Sequence, residues 1–202
     1  MRRLGERRTL SLALRAPYSR PMLTHRLATP ADLEALRAVM ALAIAELQKG
    51  FLDERQIAAS HAVMGLDTQL IADGTYFIIE TTAASGPTIA GCGGWSRRAT
   101  LYGGDHSTAL RDPALLDPST AAARIRAMYT HPAHARKGVG RAVMALCEGA
   151  ARDAGFARAE LMATLAGEPL YRACGYVPLE HVAAPGPNGV TVPLIRMGKT
   201  LA

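Results

Sequence analysis

From Leu23 onward the spacing of apolar positions switches between two and three-to-four, and each switch marks an element. Residues 23–27 predict a short strand. Thr29-Pro30-Ala31-Asp32 then supplies a hydroxyl cap, a proline at the first helical position and a carboxylate three residues after the cap. Leu33, Leu36, Met40, Ile44 and Leu47 share one face of the helix that follows, and Gly50 offers its stop. Asp53, with Gln56 at the capping-box position, predicts a second helix that continues to the turn at Asp73-Gly74. Residues 75–82 and 88–95 read as a hairpin around Ala84-Ser85-Gly86-Pro87. Residues 96–120 are polar and contain Gly103-Gly104, Asp112-Pro113 and Asp117-Pro118, which predict a long surface loop.

Residues 122–130 predict a strand with Ile125, Ala127 and Tyr129 on one face and Arg124, Arg126 and Met128 on the other; His131-Pro132 ends it. A helix follows over 138–154, with Val139, Val143, Leu146 and Ala150 in one stripe and Gly155 as stop. A strand over 157–163, a short helix over 167–174 and strands over 176–179 and 190–197 complete the chain. The order βααβββαβαββ is an α/β (α+β) pattern. It predicts a single mixed, mostly antiparallel sheet flanked by helices, with a parallel pair on either side of the helix at 138–154.

The 202 residues have room for one domain with an appendage. With 49% hydrophobic and 20% charged residues the composition is globular, and no apolar run approaches the ~20 residues of a membrane helix. A cytoplasmic protein with no membrane partner is expected. A net charge of +6 raises the prospect of a nucleic-acid partner. However, Arg2, Arg3, Arg7, Arg8, Arg15 and Arg20 stand against Glu6 alone within residues 1–21, so five of the six units belong to that stretch. The domain at 22–202 is near neutral, and no nucleic-acid partner is expected. Residues 1–21 read as a flexible basic N-terminal extension, as a mitochondrial-type presequence without a clear amphipathic face, or as sequence upstream of a start at Met22. Cys92, Cys147 and Cys174 are odd in number and widely spaced, which points to reduced core residues and to no metal.

The stretch Tyr129-Thr-His-Pro-Ala-His-Ala-Arg-Lys-Gly-Val-Gly-Arg141 carries the chemistry. It joins a strand end to a glycine-rich turn that opens a helix, and so gathers backbone N–H groups at the positive end of a helix dipole. Gly138 and Gly140 leave room for a ligand, and Arg136, Lys137 and Arg141 add cationic donors, as expected of a phosphate site. The stretch lacks the Lys-Ser/Thr of a Walker loop and the third glycine of a dinucleotide fingerprint. Arg124 and Arg126 are expected to join the same cationic cluster.

The sequence resembles the GCN5-related N-acetyltransferase (GNAT) family. That family's acyl-CoA motif reads R/Q-x-x-G-x-G/A, and Ala135-Arg-Lys-Gly138-Val-Gly140 matches it with alanine in the first place and Arg136 one residue later. Similarity extends over about residues 22–201. It includes Arg26-Leu-Ala-Thr-Pro-Ala-Asp32 and Thr164-Leu-Ala-Gly-Glu-Pro-Leu-Tyr-Arg-Ala-Cys-Gly-Tyr176, with Ala166 where family members often carry asparagine. The resemblance implies the acyl-CoA N-acyltransferase fold, in which the central parallel pair splays. It implies acetyl-CoA as cosubstrate, with Met128, Tyr129 and Thr130 along the pantetheine and Arg136, Lys137, Gly138, Val139, Gly140 and Arg141 around the pyrophosphate. It implies Tyr171 as proton donor to the CoA sulfur, and direct transfer of acetyl to an amine of a small molecule or peptide. Acceptor specificity is expected in loops 96–120 and 181–189, and homodimers recur among related folds. The general base is open among Glu80, His131, Glu180 and water, and Trp95, Tyr102 and Tyr129 are candidate walls of the acceptor pocket. The alternative reading is a non-catalytic acyl-CoA sensor of the same fold.

Overall fold

The computed structural model of the chain describes residues 23–83 and 86–201. The basic stretch 1–21, the alternative start at Met22 and the turn residues 84 and 85 lie outside the described residues. The elements are β1 (Leu23–Leu27), α1 (Leu33–Leu47), α2 (Glu54–Val63), α3 (Thr68–Ala72), β2 (Tyr76–Ala83), β3 (Gly86–Ser96), β4 (Ala123–Thr130), α4 (Val139–Asp153), β5 (Arg158–Thr164), α5 (Glu168–Ala173), β6 (Val177–Pro185) and β7 (Thr191–Thr200). They build one seven-stranded sheet in the order β1-β2-β3-β4-β5-β7-β6, antiparallel throughout except between β4 and β5. Helices α4 and α5 cover one face. On the other, α1 and α3 lie over β2–β4, and α2 lies over β6 and β7. No helix among the described residues is long and apolar enough to cross a membrane.

Capping chemistry sets the helix starts. Asp53 accepts from the Gln56 backbone N–H at 2.8 Å, and the Gln56 side chain accepts from the Asp53 N–H at 3.2 Å, so two otherwise unpaired donors at the start of α2 are satisfied. Asp32 accepts from the Thr29 N–H at 2.8 Å and takes the Arg26 guanidinium at 2.7 and 2.8 Å, which holds its carboxyl well below the usual range.

The structure departs from the sequence pattern in four places. The single helix expected from Asp53 to Asp73 is two helices, broken at 64–67. At Gly65 a Cβ would lie 2.6 Å from the His106 ring and 2.9 Å from the Gly104 Cα, because residues 97–122 press down there. That segment is accordingly no simple surface loop. Its stem is closed by Leu116 N–H to the Arg97 carbonyl at 2.7 Å and by Thr100 N–H to the Asp112 carbonyl at 3.0 Å, and Thr100 and Gly104 are buried.

The third departure is in β4, whose alternation breaks at a bulge. Ala127 has φ 51°, and the β3–β4 register skips between Cys92 and Gly94. Ile125 therefore packs with α4 while Tyr129 joins the core under α1, on the opposite face from the one that strict alternation assigns. Finally, β6 runs to Pro185 and takes in much of the expected 181–189 loop. As an edge strand it tolerates Pro178 and Pro185, which mask the pattern in the sequence.

Candidate active site

Strands β4 and β5 pair only over Ala123–Ile125 and Ala159–Leu161, and then separate. The gap between their C-terminal halves opens into a cleft of about 640 Å³. Met128, Tyr129 and Thr130 line it from β4, Thr164 from the end of β5, and Leu170 and Tyr171 from α5. Its far end is the start of α4, where Arg136, Gly138, Val139, Gly140 and Arg141 are exposed to the cavity. Gly138 is the N-cap, with φ 88° and no side chain capping the first turn, so the helix presents free N–H groups. A Cβ at Gly138 would meet nothing within 4 Å, but a left-handed backbone there favours glycine. Arg136 holds the left-handed region without being glycine, at φ 62°.

Of the expected phosphate donors, Lys137 does not line the cleft; its Nζ donates to the Ala133 carbonyl at 2.7 Å. Arg124 and Arg126 do not join the cluster. On β4 their side chains reach acids of neighbouring elements, Arg124 to Glu160 at 2.5 Å and Arg126 to Asp67. Strand alternation groups them with Met128 in sequence but sends them to a different partner set.

Tyr171 lies where the cleft meets a second, smaller cavity of about 80 Å³, and lines both. It is 9% exposed, stacks edge-on against Tyr176 at 6.3 Å, and makes no hydrogen bond from its hydroxyl among the described residues. Burial pushes that hydroxyl up, so it stays protonated well past neutral pH.

The smaller cavity lies on the α2 side of the sheet, between Val63, Tyr102, Gly103, Arg126 and Met162. Arg126 and Asp67 form an ion pair 4% and 3% exposed, and Arg126 also donates to the Gly103 carbonyl at 2.9 Å. Burial works against the Arg126 charge, and the Asp67 carboxylate opposes that pull. Arg111 adds bonds to Asp67 at 2.9 Å and Asp105 at 2.7 Å, while Tyr129 donates to the Gly65 carbonyl at 3.1 Å. One buried carboxylate thus ties β4, the α2–α3 break and the 97–122 segment together around this cavity.

The other expected residues are placed as follows. Tyr102 and Tyr129 line the smaller cavity, but Trp95 packs edge-on against Phe156 at 6.1 Å in the α4 core and faces neither cavity. Among the three candidate bases, Glu80 bonds Arg26 at 2.9 Å, His131 accepts from the Ala133 N–H at 3.1 Å, and Glu180 is exposed beside Arg196; none lines either cavity. Three residues without any sequence signal do belong here: Gln48 and Met64 line the cleft, and Asp67 braces Arg126 from 59 positions away. Among the described residues no group of three or more His, Cys, Asp or Glu is placed to hold a metal.

The splayed parallel pair ends at an uncapped glycine helix, and the model of the acetyltransferase (GNAT) family matches residues 37–176, more than half of the chain. The chain belongs to that family. Solved structures share the GNAT fold at low identity. A GCN5-related N-acetyltransferase from Rhodopseudomonas palustris aligns at TM-score 0.61 and 20% identity, covering 91% of this chain and 97% of its own. The protein yncA from Salmonella typhimurium, solved with its cofactor acetyl-CoA, aligns at 0.56 and 19%, covering 89% and 94%. The PaiA N-acetyltransferase of Thermoplasma acidophilum, in complex with coenzyme A, aligns at 0.53 and 13%, covering 89% and 99%. No curated protein matches the sequence. Within this GNAT chain the cleft occupies the gap between the splayed strands, and the smaller cavity adjoins it on the α2 side.

Proposed function

We propose that the chain is an acetyl-CoA-dependent N-acetyltransferase that moves the acetyl group directly to a primary amine of a small molecule or peptide. The observation that carries this reading is that the uncapped start of α4, the β4 edge left bare by the splay, and a protonated Tyr171 all line one cleft. The residues fit coenzyme A. The pyrophosphate finds free N–H groups at 138–141 with the Arg136 and Arg141 side chains beside them, and the open space over Gly138 leaves room for it. The β4 backbone from Met128 to Thr130 lacks a β5 partner and offers hydrogen bonds to an extended amide chain.

Coenzyme A supplies a thioester, and the protein supplies placement and protons. Charge develops on the carbonyl oxygen and then on the departing sulfur, so a neutral hydroxyl near the sulfur lowers the barrier. Burial keeps Tyr171 in that neutral form. No cysteine suits a covalent acyl-enzyme. Burial pushes the Cys92 thiol up to about 11 and Cys147 higher still, and none of the three cysteines lines either cavity.

Incubation with acetyl-CoA and a panel of amines, read as thiol release, tests the reading. Tyr171→Phe is expected to lower kcat on the order of 10²-fold with CoA affinity unchanged. Unchanged turnover removes Tyr171 from the mechanism, and tight CoA binding with no thiol release across the panel replaces the enzyme with a sensor.

A further inference from the structure

Gln48 ends α1 and forms part of the cleft wall with Ala43, Leu47 and Phe51. It is only 3% exposed. Its amide Nε2 lies 3.7 Å from the Met64 sulfur. A thioether accepts hydrogen bonds and cannot donate them, which fixes the orientation of the amide. Its oxygen Oε1 is then buried with no hydrogen-bond partner among the described residues. Folded proteins keep few buried oxygens unsatisfied, because such an atom loses water and gains nothing.

Met64 lines both the cleft and the smaller cavity, as do Met128 and Tyr171. Gln48 therefore sits next to the junction at which acyl group and acceptor meet in the reading above, on which this inference rests. No unpaired carboxylate faces that junction. Among the described residues that line the two cavities there is no Asp or Glu; the Arg126 charge is matched by Asp67, Arg136 and Arg141 stand at the far end, and His134 is the remaining titratable side chain of the cleft besides the tyrosines. An ammonium ion therefore meets no free carboxylate there; a neutral amine meets an amide oxygen that lacks a donor.

We propose that Gln48 Oε1 accepts an N–H of the acceptor, and that the acceptor is an amine already partly neutral near pH 7, the α-amino group of an amino acid or peptide. An α-amino group is about 10% neutral at pH 7, a lysine ε-amine about 0.04%. With the N–H held by Gln48, the nitrogen lone pair forms the new bond to the thioester carbonyl carbon. The C–S bond then breaks, the sulfur takes the Tyr171 proton, and the proton released from nitrogen returns to Tyr171 through solvent.

Alanylglycylglycine and Nα-acetyl-lysine methylamide are the probes, assayed with acetyl-CoA from pH 6 to 10. The tripeptide is expected to show a kcat/KM on the order of 10²-fold higher at pH 7, with an advantage that shrinks as pH approaches the ε-amine pKa. Gln48→Leu is expected to lower kcat/KM for the tripeptide about tenfold with acetyl-CoA affinity unchanged, and to raise Tm by about 2–4 °C, because an unsatisfied oxygen leaves the interior. Gln48→Glu is expected to shift preference toward the ε-amine. Lysine preference in the wild type, or Gln48→Leu with unaltered kcat/KM, overturns the proposal. So does weakened acetyl-CoA binding with an unchanged amine KM, which assigns the N–H to pantetheine. If the wild type acetylates neither probe but releases thiol with another amine of the panel, the proposal fails and the enzyme reading stands; if no amine releases thiol, the N-acetyltransferase reading fails. Titration of alanylglycylglycine into CoA-bound wild type and Gln48→Leu then decides: weaker binding by the variant supports the contact, equal binding overturns it.

Discussion

The two sides of the cleft are built by different means. The α4–α5 side is local: a glycine turn, an uncapped helix start and Tyr171 all lie within residues 136–171, and its cations are solvent-facing or half-exposed. The α1–α3 side is assembled from parts far apart in the chain. Its keystone, Asp67, gathers Arg126 from 59 positions away in the interior and Arg111 from 44 positions away at the surface. A phosphate site tolerates variation because exposed charges contribute separately, whereas a buried pair fails as a unit when one member is removed.

Asp67→Ala tests the brittle side and carries the largest expected effect. It leaves the Arg126 charge buried without its partner, at a cost of about 3–5 kcal/mol in unfolding free energy. Denaturant midpoints measure it, and a loss below about 1 kcal/mol would mean that water reaches Arg126 and that the contrast between the sides is false. Gly140→Val comes next. Its Cβ would lie 2.6 Å from a terminal methyl of Leu170, so that side chain must turn and repack beside Tyr171, for about 1–3 kcal/mol. Calorimetry with and without CoA reads the change, and weaker CoA binding is expected. Arg141→Ala is the mildest. Arg141 is exposed at the cleft, and its loss should weaken CoA about tenfold, more at low salt than at high, with stability unchanged. Salt-independent weakening would show that Arg141 acts by packing.

The same division explains what could be read in the chain beforehand. Element order and the glycine helix were legible because caps, periods and turn residues act over a few positions, as the Asp53–Gln56 box and Gly138 illustrate. The β4 bulge was not. Its cause lies across the sheet, where Tyr76 donates to the Ala127 carbonyl at 2.7 Å and Gly93 leaves Met128 room; a Cβ there would come within 2.7 Å of the Met128 side chain. Nor was the fate of Arg124 and Arg126. A run of basic residues without acids looks like a cluster until the fold delivers Glu160 and Asp67 to it. Glu80, His131 and Glu180 are plausible bases by residue type alone, and their actual neighbours occupy them elsewhere.

The closed stem of the 97–122 segment carries a consequence for how such a protein changes over time. Because Arg98 and Leu115 already bridge and Thr100 already meets Asp112, the ends of the tip are held together whatever lies between them. Lengthening a tip on a closed stem costs only about 0.6 kcal/mol per doubling. Only insertions at the exposed 108–110 leave the sheet undisturbed, because Gly103, Asp105 and Arg111 bond Arg126, Thr68 and Asp67 and so fix the wall formed by Tyr102 and Gly103. The stem thus confines tolerated change to a three-residue tip, and a longer exchange has to keep a partner for the buried Arg126.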